Sequence, residues 1–349
     1  MSESGTGRRL AWLTLQVLGS VAAFAYLFSL VDLDEVLAAA RDIPATSMGV
    51  AVGLMGGAMV LGALRWRALL LAYGAARVPR LAPLVHLYFV GLFYNTYLPG
   101  GVGGDVVRGV ITRRAFDGTG ATAAVTVVLV ERVLGLAALL AMVASVVAFA
   151  PPPGLASLLG WALAGIGAAV AAVASIPAAR RLAGFVPFAR LRRMLEALPA
   201  LRSRRHFLLA LAYSFGTQST MALIGYTLLT ALAPDFRLAD AFAIVPLASA
   251  TAFLPITVGG AGAREAAFVA LCTAATDMDE TRAATAGLAM WTATLVVAGV
   301  GGLLQLLRPR LASSEAEAPP SAQGESADPG SLPRSTAAGP QMERLGDKS

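Results

Sequence analysis

Two arginines, Arg108 and Arg264, each close a proline–glycine motif in an otherwise apolar chain, and any chemistry is expected there. The first motif reads Leu98-Pro99-Gly100-Gly101-Val102-Gly103-Gly104-Asp105-Val106-Val107-Arg108. The second reads Leu254-Pro255-Ile256-Thr257-Val258-Gly259-Gly260-Ala261-Gly262-Ala263-Arg264. They align without a gap at a spacing of 156 residues, and Leu, Pro, Val, a Gly-Gly pair and Arg coincide. Pro99 and Pro255 stop a helix, because proline lacks an N–H and clashes with the preceding turn. Gly100, Gly103, Gly104, Gly259 and Gly260 free the backbone for positive φ or close approach. A guanidinium presents a planar fork that matches phosphate. Glycine-rich turns and helix N-termini add backbone N–H donors for an anion. Together the motifs could bind a phosphate-sized anion inside an apolar bundle.

Other polar groups stand where hydrocarbon would surround an isolated helix. They are Asn95, Asp105, Glu131, Arg132 and Glu265, with Gln218 as a milder case. A charge at the bilayer midplane costs about 2.5–3.5 kcal/mol on insertion scales, so such groups face an interior and pair. Neighbours on a helix point about 100° apart, so Glu131 and Arg132 do not face each other. The expected partners are Arg108 or Arg264 for Glu131, and Asp105 or Glu265 for Arg132. Two roles are open for Asn95, Asp105, Arg108, Glu131, Arg132, Arg264 and Glu265. They bind substrate, or they form structural ion pairs that hold the motif segments against a long helix.

The elements that must carry these residues follow from composition. The chain of 349 residues is 57% hydrophobic and 14% charged, against about 25% charged in a soluble domain. An all-α polytopic membrane protein is therefore expected. The formal charge of +6 comes mostly from arginines in short loops, where they set topology and meet anionic headgroups. A lipid partner is expected, not nucleic acid. A lone Cys272 excludes an intramolecular disulfide and a cysteine metal cluster. His86 and His206 lack ligand spacing, and no H-E-x-x-H, G-x-S-x-G or Walker A motif occurs. The second motif follows no strand, which argues against a dinucleotide site. No catalytic residue, metal or cofactor is expected.

The apolar runs and loop charges give a topology. Residues 10–31 form a first span, and the preceding Arg8-Arg9 marks a cytoplasmic segment 1–9. Ala23-Phe24-Ala25 mimics a cleavage site, but the apolar run continues past it, so a retained helix is expected. An acidic loop, 32–44, precedes a second span, 48–64. That span ends in Arg65-Trp66-Arg67, read as an interfacial tryptophan between cytoplasmic charges. The run 81–98 has positive charge on both sides, so it must enter and turn back at the first motif. Spans follow at 121–150, 155–176 and 207–232; a second hairpin occupies 241–276, and a last span 283–307. The result is about six full spans plus two re-entrant helical hairpins in an inverted repeat, with both termini cytoplasmic. Such repeats place a site near the midplane at their interface.

Between the halves lie Arg180, Arg181, Arg190, Arg192, Arg193, Arg202, Arg204 and Arg205 against Glu196 alone. This loop, 180–205, is a cytoplasmic topology mark and the one place where a partner protein could dock. The transmembrane domain closes at 311. The tail, 312–349, is rich in Ser, Ala, Pro, Gly and Glu and is expected to be a disordered cytoplasmic segment.

Three ordered motifs resemble one family. The stretch Phe93-Tyr94-Asn95-Thr96-Tyr97 leading into the first motif is similar to the hallmark of the lysylphosphatidylglycerol synthase transmembrane-region family, also called flippase-like domain proteins. Glu131-Arg132 followed by Gly135 resembles its Glu-Arg-x-x-Gly element. Leu254-Pro255 through Val258-Gly259-Gly260, with Gly262 and Arg264-Glu265, resembles its second signature. The resemblance covers roughly residues 10–310. It implies a prokaryotic inner-membrane protein that handles a lipid or lipid-linked sugar. Well-understood members join this region to a soluble aminoacyl-transferase domain, which is not expected here. The expected function is movement of an anionic lipid or lipid-linked precursor between leaflets, without enzymatic activity. The alternatives are a membrane-embedded transferase on a lipid-linked sugar, with Asp105, Glu131 or Glu265 as base, and a non-catalytic scaffold.

Overall fold

The computed structural model describes residues 3–97, 103–116, 120–253 and 260–307. Pro99, Gly100, Pro255, Gly259 and the tail 312–349 lie outside the described residues. The described residues are mostly helical, with no strand among them. Helix α1 (Glu3–Leu30) bends by 82° into α2 (Leu33–Asp42). The acidic segment read as a loop is therefore a short helix. The Asp32 carboxylate caps it by accepting the Asp34 N–H at 2.8 Å, and Val36 is buried beneath it.

Helix α3 (Ala45–Ala72) runs well past the expected end of the second span. Arg65-Trp66-Arg67 lies inside it, and Trp66 is fully buried. The interfacial assignment of this triplet is thus overturned. The helix carries on because Arg65 finds a carboxylate inside the bundle, and because 68–72 is again apolar.

Helices α4 (Leu81–Tyr97) and α5 (Gly103–Thr112) flank the first motif and fold back on each other. Gly91 and Gly104 meet backbone to backbone, where a Cβ on Gly104 would strike the Gly91 carbonyl. The Asn95 side chain accepts the Gly104 N–H at 2.7 Å. Then come α6 (Gly120–Phe149), α7 (Leu158–Leu182), the short α8 (Ala189–Glu196) and α9 (Arg204–Leu232). Helix α10 (Leu238–Ser249) and α11 (Ala263–Ala275) flank the second motif, and α12 (Glu280–Leu307) closes the bundle. Helices α3, α6, α7, α9 and α12 are long and apolar enough to span a membrane, and the bent α1–α2 pair would be a sixth. Helices α5, α10 and α11 fall short of the roughly 20 residues that a span requires.

The spacing of 156 residues between motifs also maps α3 onto α9, α4 onto α10 and α6 onto α12 to within a few residues at each end. The packing obeys the same exchange. Helix α4 lies on α12 of the other half, as α10 lies on α6, while α3 and α9 pair along their lengths. That pair is antiparallel. The Ala72 carbonyl accepts the N–H groups of Arg202 and Ser203 at 2.7 and 3.1 Å, whereas Ala51 and Met55 at the far end pack with Ile224 and Leu228. An antiparallel α3–α9 pair means that the two halves run in opposite directions, which is the inverted repeat expected from loop charge.

Helix α6 links two apolar cores. Its first half joins Trp66, Leu69 and Leu84 through Val127 and Leu134. Its second half joins Ile244, Phe268 and Cys272 through Leu139 and Val143. Glu131 and Arg132 lie between Val127 and Leu134, in the part of the helix that meets the first core.

Candidate functional site: an ion chain at the first hairpin

Glu131 is 2% exposed, and everything around it is arranged to satisfy its charge. One carboxylate oxygen accepts Nη2 and Nε of Arg65 at 2.7 and 3.1 Å. The same oxygen accepts the Tyr88 hydroxyl. The other oxygen accepts Nη1 of Arg108 at 3.1 Å. Arg108 turns its Nη2 to Asp105, one turn earlier on α5. The second oxygen of Asp105 accepts Nε of Arg132 at 2.8 Å. The result is a continuous chain, Arg65–Glu131–Arg108–Asp105–Arg132, in which three guanidinium groups face two carboxylates.

Four helices place these groups: α3 brings Arg65, α4 Tyr88, α5 Asp105 and Arg108, and α6 Glu131 and Arg132. Aromatic faces complete the enclosure. The Arg108 guanidinium lies 5.1 Å from the Trp66 ring centre and 4.4 Å from that of Tyr88, within the range of cation–π attraction. Helix α9 is tied in at the edge. Thr217 receives Nη1 of Arg65 at 3.4 Å, and Gln218 donates to the Gly135 carbonyl at 3.2 Å. Glu131 and Arg108 in the chain's interior are buried, and the Arg65 side chain at one end is 16% exposed. The other end is Arg132, whose side chain is 38% exposed.

Of the expected partners, Arg108 takes Glu131 and Asp105 takes Arg132. Arg264 and Glu265 do neither of the other jobs, and pair with each other instead. Nη2 and Nε of Arg264 donate to one Glu265 oxygen at 2.7 and 3.0 Å. The other oxygen accepts the Gly262 N–H at 2.8 Å. Neighbours can meet here because they sit in the first turn of α11, where the Glu265 carboxylate folds back over the helix start. Gly262 has φ +82°, in the left-handed region, and packs against Ser20, Ala23 and Phe24 of α1. Asn95 closes the first hairpin through Gly104.

Sequence reasoning missed Arg65, Trp66 and Tyr88. Their signal was weak: an apolar run, 68–72, resumes directly after the triplet that resembles a span end. Among the described residues, no three of His, Cys, Asp and Glu come together to hold a metal ion.

The fold and its buried charges define an all-α polytopic membrane protein. Residues 13–302 match the model of the lysylphosphatidylglycerol synthase TM region, and the chain belongs to that family, which links it to lipid metabolism or transport. Comparison with curated proteins gives no significant match.

Proposed function

We propose that the protein moves an anionic lipid, or an anionic lipid-linked precursor, between the leaflets of a prokaryotic inner membrane. In this reading it acts as a transporter and not as an enzyme, and both termini face the cytoplasm. The observation that carries the reading is the ion chain. It places one positive charge in excess at the contact between a motif hairpin and α6, inside a bundle whose two halves are inverted copies. Inverted repeats with broken helices support alternating access around a site at their interface. A surplus guanidinium favours a lipid that brings one negative charge. The exposed end of the chain, Arg132, is the first point of contact for such a headgroup. The arginines of the 180–205 connector would gather anionic lipid at the cytoplasmic surface.

The test is leaflet exchange. Purified protein is reconstituted into vesicles that contain fluorescent phosphatidylglycerol or phosphatidylcholine, and the outer-leaflet dye is quenched chemically. Faster exchange of phosphatidylglycerol than of phosphatidylcholine is expected. Arg132→Gln should slow it about tenfold, the order of one charge-assisted hydrogen bond. Equal exchange of both lipids, or none above protein-free vesicles, would remove the anionic-lipid assignment.

A further inference from the structure

Helix α8 (Ala189–Glu196) faces two ways. At about 100° per residue, Leu191, Met194 and Leu195 share one side, and Phe188 at the N-cap falls in line with them. Arg192, Arg193 and Glu196 take the other side. The protein leaves much of the apolar side open. Phe188 is 71% exposed, Leu191 45% and Met194 55%, and Phe185 in the preceding turn is 85% exposed. The segment is also cationic. Arg180, Arg181, Arg190, Arg192 and Arg193 stand against Glu196 alone over residues 180–196. Glu196 meets Arg192 only at 3.9 Å, with both side chains about half exposed.

The place of α8 in the fold puts it at a membrane surface. Of the five single-helix spans, α7 is the least covered by the bundle, and Trp161, Leu163 and Val170 are exposed along it. Helix α8 packs on the end of α7 and on the turn Ala183–Phe185 that follows it. Beyond α8 the chain returns to the bundle. The Ala72 carbonyl holds the N–H groups of Arg202 and Ser203, and α9 begins at Arg204. Held at both ends to the ends of spans, the connector runs along the surface and not away from it. A helix of eight residues is too short to be stable alone in water, so its apolar side needs cover.

Lipid and protein could both supply that cover, and area and charge choose lipid. A helix of this length offers on the order of 200 Å² on one side, against about 800 Å² per partner in a stable protein interface. Arginines on one side of a surface helix, with Phe and Leu on the other, match the boundary between headgroups and acyl chains. We infer that α8 is an in-plane anchor that docks on anionic phospholipid of the adjacent leaflet. Phe185, Phe188, Leu191 and Met194 enter the acyl boundary, and Arg192 and Arg193 hold phosphate oxygens beside them. The planar fork of arginine takes two such oxygens at once. The connector is then a strap that ties peripheral α7, and the link between the two repeats, to the leaflet surface. This goes beyond the gathering of lipid by naming the helix that docks and the face it uses. It rests on the membrane fold and needs no leaflet exchange.

The test uses the full-length protein in lipid nanodiscs, which leave both surfaces open to water. One set of discs is phosphatidylcholine with roughly a quarter phosphatidylglycerol, a proportion chosen to give an anionic surface, and the other is phosphatidylcholine alone. A bimane fluorophore is attached to Met194→Cys on the apolar side or to Glu196→Cys on the polar side, while the buried Cys272 stays unlabelled. Quenching is read with a nitroxide on the lipid acyl chain and with iodide in water. In the mixed discs the nitroxide should quench position 194 at least about threefold more than position 196, and iodide should do the opposite. Leaving out phosphatidylglycerol, or combining Arg192→Gln with Arg193→Gln, should shift the docked-to-undocked ratio at 194 about tenfold toward water. Equal quenching at the two positions overturns the anchor. Docking that ignores both the lipid change and the loss of the arginines overturns its assignment to anionic lipid. A fluorophore at 194 that is open to iodide in discs but protected in native membranes gives the face to a partner protein and overturns the anchor as well. Docking without leaflet exchange leaves the anchor standing and sinks the transport reading, and exchange without docking does the reverse.

Discussion

Exchanging Arg108 and Glu131 separates a chain of ions from an isolated pair. For a simple pair, Arg108→Glu combined with Glu131→Arg restores opposite charges, and stability should return. The structure demands a different outcome. A glutamate at 108 would lie against Asp105, which now binds Arg108, and an arginine at 131 would lie against Arg65, which now binds Glu131. The exchange repairs one contact and turns two others into like-charge contacts. Removing one partner of a buried pair costs about 3–5 kcal/mol, because the other charge is left without compensation. Arg108 touches both carboxylates and two aromatic faces, so Arg108→Met should reach the upper part of that range. Among the described residues, Glu131 is the one carboxylate that Arg65 meets, and Glu131 keeps Arg108 when Arg65 is lost. Arg65→Met should therefore cost less, about 1.5–3 kcal/mol. The double exchange should be no more stable than Arg108→Met. The assay is reversible unfolding of purified protein in mixed detergent micelles, with all variants in one double-mutant cycle. Stability restored to within about 1 kcal/mol of wild type by the exchange would refute the five-member chain.

Two further outcomes follow from the same structure. Gly104→Ala should destabilise the first hairpin by about 1–3 kcal/mol, since its Cβ would meet the Gly91 backbone, which cannot step aside as a side chain could; unfolding in the same micelles reads this, and a neutral effect would mean that the hairpin is looser than described. Cysteines placed near Asp34, Asp235 and Asp279 should react with an impermeant reagent from outside, and those at Arg77, Arg113 and Arg192 only after lysis, because acidic and basic loops alternate along the chain. Labelling of Arg113 from outside would refute the return of the first hairpin to the cytoplasmic side.

Much of the architecture was legible because hydrocarbon imposes simple demands. Backbone groups in a bilayer core must be satisfied within the segment, so apolar runs of sufficient length read as helices. The loop charges then order them, and the repeat of Leu-Pro and Gly-Gly with its closing arginine shows the two halves. The need of every buried charge for a partner was also local enough to narrow the choices, and Arg108 with Glu131 and Asp105 with Arg132 were among them. Tertiary structure decided between the choices, because pairing depends on which helix faces cross in space. Arg65 reads as the end of a span until Glu131, on a helix far along the chain, turns toward it. Trp66 reads as interfacial until α4 and α6 close over it. Arg264 and Arg108 look identical in their motifs. What separates them is Glu131 across one hairpin and Gly287 across the other, a difference that has meaning only once α6 and α12 are laid against their hairpins.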